Sequence, residues 1–190
     1  MTAATNSAEK HTLSKVLFRS LREEDLPQLE WDGEYTHYRQ VYANAYRRSL
    51  NGLTLIWVAQ IPENKIIGQV FVQLNSDRPE LADGSSRAYL YAFRIRPEYR
   101  NLGLGSIFLT IVEEDIQNRG FTYLTLNVAK KNEDALRLYR RKGYKVVAHE
   151  PGRWSYTDHQ GVMRHVIEPA WRMEKRLTPF QNSKATLSGS

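Results

Sequence analysis

Apolar and polar positions along the chain follow two rhythms, and their order outlines a fold. Residues 16–19 read as a first strand, and residues 22–27 open a helical region. Tyr35, Tyr38, Tyr42 and Tyr46 then recur at three- and four-residue steps, with Val41 and Ala45 beside them. That spacing predicts a helix with one aromatic face. Residues 53–60 and 66–74 are rich in β-branched and aromatic side chains, and Pro62-Glu63-Asn64-Lys65 makes the turn of a hairpin between them. A fourth strand over 88–95 ends at Arg96-Pro97.

Leu104, Ile107, Phe108, Ile111 and Val112 predict the buried face of a second helix, with Gly120 in the left-handed position after its last turn. Residues 123–129 alternate as a strand, with Leu124, Leu126 and Val128 on one face. Residues 132–142 form another helix, closed by Gly143, and 144–150 a strand. Residues 154–156 and 162–167 flank the turn Asp158-His159-Gln160-Gly161, and 170–175 make a last strand. The order β, helices, βββ, α, β, α and further strands predicts an α/β (α+β) protein with a mixed sheet.

A chain of 190 residues suits one domain with a sizeable core. The polar, small-residue stretches 1–14 and 178–190 are expected to be disordered tails around a single domain at 15–177. No apolar run approaches the roughly 18 residues of a membrane span, and residues 1–10 lack the apolar stretch of a secretory signal. With no cysteine there is no disulfide framework, thiolate zinc site or cysteine nucleophile. A cytoplasmic protein without membrane contact or bound metal is expected. The formal charge of +6 favours anionic partners. The basic residues are dispersed, however, and no helix-turn-helix, RNP-like or zinc-finger pattern is present, so nucleic acid is not the expected partner.

The candidate chemistry lies in Arg100-Asn101-Leu102-Gly103-Leu104-Gly105, between a strand and a helix. Unpaired N–H groups and partial positive charge at a helix N-terminus suit a phosphate or pyrophosphate. Gly103 and Gly105 keep side chains away from those groups and permit positive φ, and Arg100 can add a charge-assisted bond. The segment is not a Rossmann fingerprint, lacking the later Gly and acidic residue, nor a Walker loop, lacking Gly-Lys-Ser/Thr. In the next helix Asn132 can cap the N-terminus, Glu133 and Asp134 suit the first turn, and Asn132 and Tyr139 share a face two turns apart. That face can present an amide and a phenol to one ligand, or simply cap and pack the helix.

The run from Phe93 through Gly105 resembles the acetyl-CoA-binding motif of the GNAT family of N-acetyltransferases, Arg/Gln-x-x-Gly-x-Gly/Ala after a strand and before a helix. Asn132 through Tyr144 resembles the family's Asn-x-x-Ala-x-x-x-Tyr-x-x-x-Gly-Phe segment, with Tyr144 where Phe is commoner. The resemblance covers roughly residues 16–176. It implies the acyl-CoA N-acyltransferase fold, a mostly antiparallel mixed sheet of about seven strands with flanking helices. It also implies acetyl-CoA as co-substrate and no metal. The matching cofactor-binding residues are Phe93, Arg94, Ile95, Arg100, Asn101, Leu102, Gly103, Leu104, Gly105, Ser106, Asn132, Ala135 and Tyr139.

The implied reaction is direct transfer of an acetyl group to an amine, with a tetrahedral oxyanion stabilised by backbone N–H. Tyr139 matches the tyrosine that protonates the departing thiolate. Tyr91 stands where relatives often carry a carboxylate base, so either a distant carboxylate acts through water or the amine arrives deprotonated; Glu150, Asp158 and His159 are weak candidates. The tyrosine face and the hairpin holding Trp154, Tyr156, Asp158 and His159 fall where relatives contact the acceptor. The expected acceptor is a primary amine of a small molecule or peptide. The alternatives are a protein N-terminus or lysine, or a non-catalytic acyl-CoA sensor. A homodimer is expected by analogy and from the spare C-terminal strands.

Overall fold

A computed structural model describes residues 15–177. The two tails assigned above therefore lie outside the described residues. β1 (Leu17–Ser20), β2 (Thr54–Gln60), β3 (Ile66–Gln73), β4 (Arg87–Ile95), β5 (Tyr123–Ala129), β6 (Lys145–Glu150) and β9 (Ala170–Arg176) form one seven-stranded sheet in the order β1-β2-β3-β4-β5-β9-β6. All neighbours are antiparallel except β4 and β5. β7 (Arg153–Thr157) and β8 (Met163–Ile167) pair as a separate hairpin. The helices are α1 (Arg39–Leu50), α2 (Leu104–Asn118) and α3 (Glu133–Arg141), with 3-10 segments at Glu23–Glu30, Thr36–Tyr38 and Pro97–Tyr99.

Both faces of the sheet are covered, which is why its inner strands carry apolar side chains at successive positions. On one face Val70, Val72, Leu90 and Leu126 pack with Leu104, Phe108 and Val112 of α2. On the other, Ile56, Val58, Ile66 and Phe71 pack with Tyr42 and Ala45 of α1.

Two details depart from the sequence expectation. Ile107 is 51% exposed and Ile111 only half-buried, while Leu109, Glu113 and Ile116 are buried, so the buried face of α2 is rotated from the one drawn above. The rotation is supported by Lys175 of β9, which donates to Glu113 Oε2 at 2.6 Å and partners that buried carboxylate. The tyrosine series also does not ride one helix. Tyr35 and Tyr38 precede α1, whose regular turns begin at Arg39.

The feature that makes the site is a gap in the sheet. The β3–β4 register shifts between Gln69 and Phe71, and Ala92 lies opposite with φ of 48°. Such a bulge bends its strand. β4 pairs with β5 only from Arg87↔Tyr123 to Leu90↔Leu126, although β4 runs on to Ile95 and β5 to Ala129. Beyond Leu90 the two strands part.

Candidate active site

Helix α2 starts at the mouth of this gap. Gly103 is its N-cap, with φ of 87°, and Asn101 before it has φ of 61°. The N–H groups of Leu102, Gly103, Leu104 and Gly105 find no acceptor among the described residues. A Cβ on Gly103 would meet nothing within 4 Å. One on Gly105 would stand 3.3 Å from Ile95 Cδ1 and 3.4 Å from Leu138 Cδ2. Gly105 thus lets α2 close on β4 and α3, and Gly103 leaves its N–H groups open to the cavity. Arg100 ties the loop down by donating from Nε to the Ile95 carbonyl at 2.8 Å.

The cavity holds about 530 Å³. Its walls are Phe93, Arg94, Ile95, Arg100, Asn101, Gly103, Gly105, Ser106, Asn132, Ala135 and Tyr139, all expected from the sequence. Two expected residues do not line it. The Leu104 side chain is buried in the core and Leu102 is half-buried, so both can offer only main-chain atoms. Tyr35, Asp134, Leu138, Arg141 and Glu168 also line the cavity and were not assigned to a cofactor. Leu138 was detectable, because it falls three residues after Ala135 on the same helical face. Glu168 reaches the site from the loop between β8 and β9, and nothing local marks it.

Helix α3 is set by its cap. Asn132 Oδ1 accepts from the Ala135 N–H at 3.2 Å, and Gly143 closes the other end with φ of 87°. The helix holds Tyr139 against Tyr144, ring centroids 5.6 Å apart and edge-on. Burial raises the Tyr139 phenol above its ordinary pKa, so at neutral pH it keeps its proton.

Across the sheet lies an aromatic cluster. The ring of Tyr38 sits 4.9 Å from Tyr156 and 6.2 Å from Trp154, so the β7–β8 hairpin does meet the tyrosines. His37 lies 4.1 Å from Tyr38. Its pKa is lowered, by burial first and then by Arg94 and His159, against an opposing pull from Asp158. The weaker candidates for a base are engaged or remote. Glu150 accepts from Arg78 at 2.8 and 3.0 Å, and Asp158 accepts from Arg164 at 2.7 Å and from the N–H groups of Gln160 and Val162 in its own turn. His159 is exposed. Tyr91, matched above to the family's usual acid position, is pushed up to about 12 by burial.

Among the described residues no group of His, Cys, Asp and Glu could hold a metal ion, and no helix is long and apolar enough to cross a membrane.

Residues 18–144 match the model of the acetyltransferase (GNAT) family. The chain is 23% identical over 90 residues to the uncharacterized N-acetyltransferase YycN of Bacillus subtilis (strain 168), a match over 47% of this chain. It spans about half of that relative's length, 54%. Among solved structures, the ribosomal-protein-S18-alanine N-acetyltransferase from Escherichia coli superposes with a TM-score of 0.64 at 19% identity, covering 88% of this chain and 97% of the other. The spermidine N-acetyltransferase from Vibrio cholerae, in complex with CoA and spermine, gives 0.62 at 16% identity, with 86% and 96% covered. At these identities the structures share the fold.

Proposed function

Because this chain belongs to the acetyltransferase (GNAT) family, we propose that it transfers the acetyl group of acetyl-CoA to a primary amine of a small molecule or peptide. The observation that carries this reading is the row of unpaired N–H groups from Leu102 to Gly105 at the mouth of the β4–β5 gap. These groups, with Arg100 and Arg141, suit a pyrophosphate. The edge of β4 over Phe93–Ile95, which β5 leaves uncovered apart from the Ile95 carbonyl bonded to Arg100, suits an extended, amide-bearing arm.

Acetyl-CoA supplies an activated acyl group. In the proposed reaction the neutral acceptor amine attacks the thioester carbonyl carbon. A C–N bond forms and the C–S bond breaks. A main-chain N–H of β4 stabilises the oxyanion between these events. Tyr139 gives its phenolic proton to the departing sulfur, the amine's surplus proton leaves to solvent, and Tyr139 takes a proton back from solvent to complete the cycle.

Calorimetric titration with acetyl-CoA, followed by thiol release on a panel of amines, tests this. Micromolar affinity, about −8 kcal/mol, with amine-dependent thiol release is expected. Absence of binding would remove the reading. A second reading, a non-catalytic acyl-CoA sensor, is motivated by Tyr91 in place of an acid and by the engagement of Glu150 and Asp158 with arginines. It expects binding without turnover of any amine.

A further inference from the structure

The side chain of Arg94 has a task that the proposed cofactor does not fill. Phe93 and Arg94 are neighbours on β4 and point to opposite faces of the sheet. Phe93 meets Phe108 of α2, ring centroids 5.7 Å apart. Arg94 turns toward α1, where its Nη1 donates to the Tyr42 hydroxyl at 2.9 Å. Its guanidinium lies 4.3 Å from the Tyr35 ring centre and 5.2 Å from that of Tyr38. The phosphate cradle sits at the start of α2, on the other face. Arg94 therefore lines the cavity from the acceptor side, and only its main chain belongs to the strand that suits the cofactor arm.

This guanidinium is half-buried, and no carboxylate lies within 4 Å of it among the described residues. The carboxylates of the same cavity already have cations: Glu168 pairs with Lys131 at 2.8 Å, and Asp134 pairs with Arg137. Taking a guanidinium partly out of water without an anion is unfavourable, and tyrosine faces offset only part of that. Tyr35, Tyr38 and Tyr42 hold the charge in a fixed pose and leave the rest of its planar fork to bond elsewhere. A fork presented this way matches a carboxylate with two parallel bonds. It repels a polycation.

We propose that the acceptor amine carries a carboxylate, and that Arg94 is the specificity residue that binds it. The proposal rests on the acetyltransferase reading above. The carboxylate could belong to a free amino acid, where it lies beside the amine, or to an acidic side chain near a peptide N-terminus.

The test is thiol release from acetyl-CoA with matched acceptors. These are amino acids and their carboxamides, peptides with acidic N-terminal residues and their amide counterparts, and spermidine. Wild type is expected to prefer the acid of a pair by about tenfold or more in kcat/KM. The pair that shows the preference identifies the source of the carboxylate. Arg94→Gln should lower the acid to the level of its amide, chiefly through KM. Arg94→Lys, which keeps charge but loses the fork, should retain part of the preference. Equal use of acid and amide by the wild type, preference for spermidine, or no turnover of any carboxylate-bearing amine by protein that binds acetyl-CoA would each overturn the proposal. Failure to bind acetyl-CoA would instead defeat the acetyltransferase reading itself.

Discussion

Replacing Gly103 by alanine separates fold from ligand grip. Gly103 has φ of 87°, and an added Cβ would meet no protein atom within 4 Å. The apo protein therefore feels only backbone strain. A residue with a Cβ in left-handed conformation costs about 1–2 kcal/mol, and the smaller entropy of the unfolded alanine chain adds about 0.4–1 kcal/mol of stability in return when no strain opposes it. The net loss is about 1 kcal/mol, or about 2–4 °C in Tm for a domain of this size. The new methyl, however, projects into the cavity beside the unpaired N–H groups. If those groups hold the pyrophosphate, acetyl-CoA affinity should fall at least tenfold, about 1.4 kcal/mol.

Gly105→Ala is the internal comparison. Its Cβ meets only the ends of Ile95 and Leu138, at 3.3 and 3.4 Å, and alanine gains about 1 kcal/mol of helix propensity. Stability should stay within about 1 kcal/mol of wild type. Thermal melts and calorimetry on both variants decide the matter. A Gly103→Ala protein that melts lower as expected yet binds acetyl-CoA with wild-type affinity would refute the cradle.

Three further outcomes are expected. Tyr139→Phe should lower kcat by about 10² or more with little change in the KM for acetyl-CoA, because the lost group is a proton donor; steady-state kinetics with a good acceptor checks it. Asp83 holds the turn into β4, accepting from the N–H groups of Ser85, Ser86 and Arg87 at 2.8–2.9 Å. Burial alone would raise its pKa, but the Ser86 hydroxyl and these N–H groups outweigh it and hold it below its usual 3.8. Its contribution to stability is complete above that value and lost as pH falls through the lowered one. The stability gap between wild type and Asp83→Asn, measured by denaturation across pH, should thus be constant from pH 7 to about 5 and close below about 4. Finally, β6 is a sheet edge with no outer partner among the described residues, with Val146 41% and Val147 52% exposed, and we propose it as the homodimer contact. Sedimentation should give twice the 22.1 kDa chain mass, and Val147→Lys should return the monomer.

Local chemistry made much of this architecture readable. Gly120 and Gly143 mark helix ends because each takes the left-handed position after its helix, and Asn132 marks a start because its side chain accepts from Ala135. The open N–H row at the start of α2 was legible for the same reason, since both glycines act through their own backbone. The failures all involve residues distant in sequence. Glu113 turns inward on α2 because Lys175 waits on β9, and no periodicity within α2 contains that lysine. Tyr35 and Tyr38 keep helical spacing without the helix because their partners are Arg94, Trp154 and Tyr156, brought in by β4 and the β7–β8 hairpin. Arg94 was read as part of the cofactor strand. Only the fold shows that its side chain turns to the tyrosines instead.

The parted strands also make a demand on whatever enters between them. Over its last five residues β4 has no strand partner on the β5 side among the described residues, and β5 runs three residues past its last β4 partner. A sheet left open in this way is a template for strand replacement. An amide-bearing arm can stand in for the missing length of ladder, whereas a bare hydrocarbon of equal reach would leave those main-chain groups dry and unpaired. If the proposed cofactor arm lies here, the opening is a chemical filter as well as a passage. The same acetyl thioester on an amide-free thiol would have to enter without completing the sheet.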